Sequence, residues 1–278
     1  MSETLPRTAW DMTLAPGRPM RDPDAAGWIY GTPPGISEAQ WPLDPNTGYP
    51  MQHGFTLLLP EEYRVRGKDI VAISFFGAAP EHYDGGPHVV DGARVLVLGE
   101  DAPDEDHEPS VLLAGQAASA HPRLHRFEDI LGGAFAIIEL TREEFEGPLC
   151  PVPAFCTHPM WEDLLDVPMF ARADAPDPVA IALSARAEDP NVGKVPIEGA
   201  GEDDDYIDPF DEETDELHAW AEAHAPNHIG GTAMPIQAYP ELSPFYIEFD
   251  EDFGGFNFGD EGRAQLCLKT LTFDWACH

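Results

Sequence analysis

Proline and glycine are so frequent in this chain that long helices have little room between them. The 278 residues include 29 prolines and 25 glycines. Proline fixes φ and removes a backbone donor, and glycine costs order inside any regular element. Together they cut the chain into short pieces, which read as strands and loops. Runs of strand length lie between the breaks: Phe55 to Leu59, Ile70 to Phe76, Ala93 to Leu98 and Phe135 to Leu140. Further along come Val179 to Leu183, Phe245 to Phe249, Ala264 to Leu268 and Leu271 to Trp275. Several are continuously apolar rather than alternating, the pattern of strands covered on both faces.

Helical signals are fewer. Asp211 to His224 opens with carboxylates, which suit the positive end of a helix, and Leu217, Trp220 and Ala221 fall at i, i+3, i+4. Thr141 to Phe145 and Thr157 to Leu165 read as short helices. The expected fold class is α+β, a strand-rich mixed fold with two weakly similar halves and few helices.

The two halves come from an echo. Ile29-Tyr30-Gly31-Thr32-Pro33 leads through Gly48-Tyr49-Pro50 to the run Phe55 to Leu59. Ile229-Gly230-Gly231-Thr232 leads through Ala238-Tyr239-Pro240 to the run Phe245 to Phe249. Each reads as a glycine turn, an extended proline-bearing stretch, Tyr-Pro, then a buried strand. One domain over 1–278 is expected, because single cores reach about 250–300 residues. Within it lie an N-terminal half at 28–98, a divergent middle at 99–225 and a C-terminal half at 226–278. Surface loops or linkers are expected near 100–110 and 187–210.

Charge narrows the function. There are 51 acidic residues against 15 basic, a formal net charge of -36. Such a chain repels phosphate backbones and anionic membrane surfaces. It favours solubility and fast association with a basic partner; solvation alone explains the same charge without one. Six of the nine residues from Glu100 to Glu108 are acidic, as are ten of the fifteen from Glu202 to Glu216, with no Lys or Arg in either run. Like-charge runs of this kind read as exposed loops. The start, MSETLPRTAWDM, shows no export signal, and no apolar stretch approaches the roughly 18 residues of a membrane span. Four scattered cysteines, Cys150, Cys156, Cys267 and Cys277, are expected to be reduced thiols in a cytoplasmic protein.

The C-terminal pattern runs from a Gly-Gly turn through Gln237 and an apolar strand to Phe258-Gly259-Asp260-x-Gly262, then a second strand and Phe273-x-Trp275-x-Cys277. The N-terminal pattern has Gly31-x-Pro33, Trp41-Pro42-x-Asp44 and Gly48-x-Pro50-Met51, then Ile73-Ser74-Phe75-Phe76 and Arg94-Val95-Leu96-Val97. Together they resemble the YwqG-like domain of bacteria over roughly 28–98 and 228–278. The chain departs from that pattern at His53-Gly54-Phe55-Thr56, where the family has a Gln-Ile or Gln-Ala strand. The resemblance implies a mixed fold with a two-part, strand-rich core, and no established activity. Proteins of this type are similar to accessory or immunity-type proteins encoded near bacterial toxin genes.

No motif supplies chemistry of its own. Cys150-x5-Cys156-x-His158 is wider than the usual zinc spacing, and buried thiols in a loop explain it better. His218, His224 and His228 are spaced poorly for one helical face. Gly201 precedes the aspartates at 203–205 instead of interrupting them, unlike a calcium loop. The glycine pairs at 230–231 and 254–255 precede no Lys-Ser or Lys-Thr, and Gly-x-Ser-x-Gly does not occur. Asp260 reads as a turn carboxylate and Phe273 with Trp275 as one face of a core strand. The expected function is a non-enzymatic cytoplasmic binding protein, an immunity-type inhibitor of a basic protein toxin. Its partner surface would comprise Asp203, Asp204, Asp205, Asp208, Asp211, Glu212 and Glu213. No catalytic residue, metal or cofactor is assigned. The alternative is an enzyme or small-ligand-binding protein with a site between the halves near Gly231, Gln237 and Asp260.

Overall fold

The computed structural model describes residues 4–98, 119–153, 166–201, 204–211, 214 and 216–278. Eleven antiparallel strands form one sheet. They are β1 (Trp10–Ala15), β2 (Gly27–Ile29), β3 (Gln52–Leu58), β4 (Ile70–Gly77), β5 (Leu124–Glu128) and β6 (Ala134–Thr141). The second set is β7 (Val179–Ala185), β8 (His228–Ile229), β9 (Tyr246–Asp250), β10 (Arg263–Cys267) and β11 (Phe273–Ala276). Seven of the eight strand runs read from the sequence match these elements.

Across the sheet the order is β11-β10-β9-β8-β1-β7-β2-β3-β4-β6-β5. Apart from β5, which lies outermost on one side without a counterpart, the order is symmetric about the β1–β7 pair. Outward from β7 lie β2, β3, β4 and β6; outward from β1 lie β8, β9, β10 and β11. Registers agree across this pseudo-dyad. Ile29 faces Phe55, which faces Phe75, which faces Ile137. Ile229 faces Ile247, which faces Leu266, which faces Phe273. Each half lends its first strand to the other, since β1 pairs with β8 and β7 with β2. The related strands span 10–141 and 179–276, so β6 and β7 belong to the halves rather than to a divergent middle.

The sheet rolls until its edges meet. Phe127 on β5 lies 5.7 Å from Phe273 on β11, ring to ring, and Trp275 Nε1 donates to Asp129 at 2.7 Å. Side chains rather than strand pairing join the two edges. Inside, alternate residues of every long strand form the main core: Phe55 and Leu57, Ile73 and Phe75, Phe135 and Ile137, Ile247 and Phe249. Phe253, Phe256 and Phe258, from the β9–β10 connection, fill it further, with Phe256 5.2 Å from Phe75. Gly54 is required there: a Cβ at that position would occupy the Phe256 ring. It sits at the irregularity between His53 and Phe55 in the β3–β4 ladder.

Outside the first half, Trp41, Met51, Phe76, Ile138 and Leu140 form a second cluster, with Trp41 Nε1 bonded to the Met51 carbonyl at 2.9 Å. Strands covered on both faces explain the continuous apolar runs. Two expectations are corrected. The run Ala93–Leu98 is a helix, α1, which buries Ala93, Leu96 and Val97 at i, i+3, i+4 against Leu43 and Val90; a short apolar run carries no period of its own. Of the described residues from Asp211 to His224, only Ala219–Glu222 is helical. Asp208 and Asp211 accept bonds from the N–H groups of Phe210 and Thr214, holding turns that compete with a helix. The short helix at Arg142–Glu146 agrees with the sequence reading, and Thr141 and Glu144 close a reciprocal capping box at its start. The runs at 157–165 and 100–110 lie outside the described residues, as do Cys156 and His158.

Candidate functional site

The outer face of the second half carries buried charged groups where that of the first carries an apolar cluster beside the neutral polar set His53, Thr56 and Ser74. Glu248, on β9 between Ile247 and Phe249, points outward and its side chain is fully buried. It accepts bonds from His228 Nε2 at 3.2 Å, from the Met234 N–H at 3.1 Å and from Gln265 Nε2 at 3.2 Å, with Arg263 Nη1 at 3.7 Å. Burial raises its carboxyl pKa, but His228 and Arg263 outweigh burial and leave it below the ordinary range. Beside it, Asp189 is equally buried. Its carboxylate accepts from Arg186 Nη1 at 3.1 Å, the Asn191 N–H at 2.9 Å, and both the N–H and hydroxyl of Thr232 at 2.9 Å. Arg186 also binds Asp11 at 2.7 Å and the Ala225 carbonyl at 3.0 Å. Three ionic groups taken out of water, Glu248, Asp189 and Arg186, demand this degree of pairing.

The network holds the acidic segment in place. Asn191 Nδ2 donates to the Ile207 carbonyl at 2.7 Å and its Oδ1 accepts the Ile207 N–H at 2.8 Å. Tyr206, buried in the same layer, accepts the Ala233 N–H at 3.0 Å. The stretch near 187–210, expected as a surface loop or linker, is fixed to the sheet at Asp189, Asn191, Tyr206 and Ile207. On it, Asp204 and Asp205 are exposed and Asp208 half-buried. Asp204 accepts from the Gly201 N–H and Asp208 from the Gly199 N–H, both in turns. Asp211 is half-buried nearby; Asp203, Glu212 and Glu213 lie outside the described residues. Ile207, 46% exposed, stands among the aspartates. From Val195 to Gly262 the chain has neither Lys nor Arg, so no neighbour in sequence neutralises this surface.

Compared with family models, curated proteins and solved structures, the chain matches none.

The residues of the alternative site do not meet in a cleft. Gly231 is buried, with φ of 85°, and the space a side chain would take holds the Asp189 carboxylate and Ala9. Gln237 is exposed and donates to the Cys277 carbonyl at 2.7 Å, tying the C-terminal strand to the covering loop. Asp260 is exposed, and the turn carboxamide of Asn257, rather than Asp260, accepts the Gly259 N–H at 3.1 Å.

A shallow cavity of about 290 Å³ lies between β1 and the second half, lined by Met12, Leu14, Asn227 and Asp250 and by none of these three residues, and two others stand on the first half. One, about 320 Å³, is lined by Arg21, Trp28, Arg142 and Phe145. Its guanidiniums are already engaged: Arg21 lies 5.6 Å over Trp28 and donates to the Gly147 carbonyl at 2.6 Å, and Arg142 pairs with Glu146 at 3.6 Å. The other, about 110 Å³, opens at the turn Tyr30-Gly31-Thr32, over Gln52 and His53. His53 is buried, and burial lowers its imidazole to about 3, so it is neutral at ordinary pH. Its ring bonds the Tyr30 carbonyl at 3.1 Å and the Thr56 hydroxyl at 2.8 Å.

His228, Glu248, Asp189 and Arg186 were not singled out as a group from sequence. One signal was present: Glu248 interrupts the apolar strand Phe245 to Phe249 on the outward period, and a carboxylate in such a place needs buried partners.

Proposed function

We propose that this protein is a non-enzymatic binding protein that captures a basic protein partner on the face carrying Asp204, Asp205 and Asp208. The observation that carries this reading is an unneutralised acidic face on a segment fixed to the sheet, with Ile207 exposed at its centre. A surface held rigid before binding loses less freedom on association. Carboxylates around an apolar point give both long-range steering and a contact to desolvate. The sealed network behind it argues for support rather than catalysis, because none of the cavities described above reaches Asp189, His228 or Glu248. The resemblance to the YwqG-like domain supports an immunity-type role, with a toxin as the basic partner and the cytoplasm as the place of action. Among the described residues no helix is long and apolar enough to cross a membrane.

Affinity recovery from the native cell, with the wild type and an Asp204→Asn/Asp205→Asn/Asp208→Asn variant in parallel, tests it. The reading expects a basic protein retained by the wild type and lost by the variant. Equal retention by both would place the interface elsewhere.

A further inference from the structure

The pseudo-dyad superposes two turns that differ in one respect. Tyr30 and Gly31 have φ of 58° and 64°; Gly230 and Gly231 have 62° and 85°. Each pair follows a short strand at the same place in its half, and each is followed by a threonine. A histidine ring bonds the carbonyl of the first residue in both cases, His53 to Tyr30 at 3.1 Å and His228 to Gly230 at 3.0 Å. In the second half the turn is occupied. Asp189 arrives from the segment after β7, fills the space over Gly231 and takes both the N–H and the hydroxyl of Thr232. Over Gly31 the space a side chain would take holds the Pro178 ring, 2.7 Å from where a Cβ would lie, with the Met20 sulfur, from the segment after β1, at 3.7 Å; neither is a carboxylate. A thioether cannot replace a carboxylate as acceptor.

The N–H and hydroxyl of Thr32 are accordingly without partners among the described residues, and they line a cavity of about 110 Å³. Gln52, 4% exposed, has its amide nitrogen on the Gly254 and Gly255 carbonyls at 2.5 and 2.7 Å, which leaves its Oε1 as an acceptor without a donor among the described residues. The Tyr30 hydroxyl lies beside Gly255 and has no hydrogen-bond partner among the described residues. The remaining walls are apolar: Val152, Met169, Phe170 and Pro176. Few convergent polar groups in an apolar cleft are the usual make-up of a small-molecule site.

We infer that this cavity binds a small, planar, uncharged amide whose carbonyl takes the Thr32 N–H and hydroxyl and whose N–H meets Gln52 Oε1. The charge of the ligand follows from comparison of the two turns. Asp189 brings a full negative charge because Arg186 stands 3.1 Å away. No Lys, Arg, Asp or Glu is among the described residues lining the cavity, and an anion there would meet a chain of net charge -36 with no local cation. Size follows from volume. At about 10–15 Å³ of such space per water-sized group, the cavity takes roughly eight to ten heavy atoms.

The test uses the full chain, labelled with ¹⁵N, and benzamide as the probe. Saturable shifts of the Gly31 and Thr32 amides are expected with Kd about 1 mM, a reasonable affinity for so few atoms. Thr32→Val removes the hydroxyl at constant shape and weakens binding about tenfold. Ala175→Trp fills the cleft from its rim and abolishes the shifts. Absence of saturable shifts at Gly31 and Thr32, or equal affinity in Thr32→Val, overturns the site. Benzoate binding more tightly than benzamide overturns the uncharged class.

Discussion

Removing the Asp189 carboxylate strips four donors of their acceptor at once. Asp189→Ala leaves the Thr232 N–H and hydroxyl, the Asn191 N–H and one edge of Arg186 unpaired in a place where the side chain is 0% exposed. Arg186 keeps Asp11 and the Ala225 carbonyl, so the guanidinium is not wholly orphaned. Breaking one partner of a buried ion pair costs about 3–5 kcal/mol, and a central value of about 4 is expected here. With a urea slope of roughly 3 kcal/mol per M for a chain of this length, the unfolding midpoint falls by about 1.3 M. The effect has a pH signature. Burial raises the Asp189 pKa, but its bonds to Thr232 and Asn191 and the charge of Arg186 outweigh that and hold it below the ordinary value. A carboxylate with a depressed folded pKa stabilises above its unfolded pKa and loses that contribution as pH falls through the folded value. The gap between wild type and Asp189→Ala should therefore be full at neutral pH and shrink below about pH 4. The assay is urea unfolding followed by tryptophan fluorescence across pH. A midpoint within about 0.2 M of the wild type at pH 7 would refute a supporting role for the network.

Three further outcomes follow from the same structure. Acetate at tens of millimolar should raise the midpoint of Asp189→Ala but not of the wild type, because it restores the missing acceptor over Gly231; no difference between the two would mean the space collapses. The His53 imidazole, lowered to about 3 by burial, is neutral when folded and protonates near 6.5 when unfolded, so wild-type stability falls as pH drops from about 6.5 to 3, by up to roughly 5 kcal/mol. His53→Gln should flatten that slope by about 1 kcal/mol per pH unit, read from unfolding curves between pH 6 and 4; parallel slopes would contradict a neutral buried ring. Phe273→Ala removes the ring that meets Phe127, Phe135 and Phe75; a loss of about 2–3 kcal/mol is expected for a half-buried phenylalanine, with faster amide exchange in β5 and β11 together. Exchange confined to β11 would show that the edges do not support each other.

Strand content was legible because proline and glycine left only strand-sized apolar runs. The duplication was legible at its turns, Gly31 and Gly231, where backbone conformation dictates residue type. Its extent was not, because β6 and β7 carry no turn motif and their place depends on pairing between distant segments. Ala93 to Leu98 went the other way, to a helix, since a six-residue run with five apolar positions fits either period until packing chooses. The network around Asp189 and Glu248 was the hardest part to read. Its members come from β1, β8, β9, β10 and the connections after β7 and β8, and each looks ordinary alone. Asp204, Asp205 and Asp208 were visible as an acidic run, but sequence could not show that Asn191 and Tyr206 hold that run against the sheet.

The central claim is that this fixed acidic face is the binding surface. Isothermal titration of the recovered basic partner into the wild type and into Asp204→Asn/Asp205→Asn/Asp208→Asn, at low and high salt, tests it most directly. The account predicts affinity at least tenfold weaker in the variant, about 1.4 kcal/mol or more, with most of the wild type's salt dependence gone. Equal affinity and an unchanged salt dependence in the variant would contradict it.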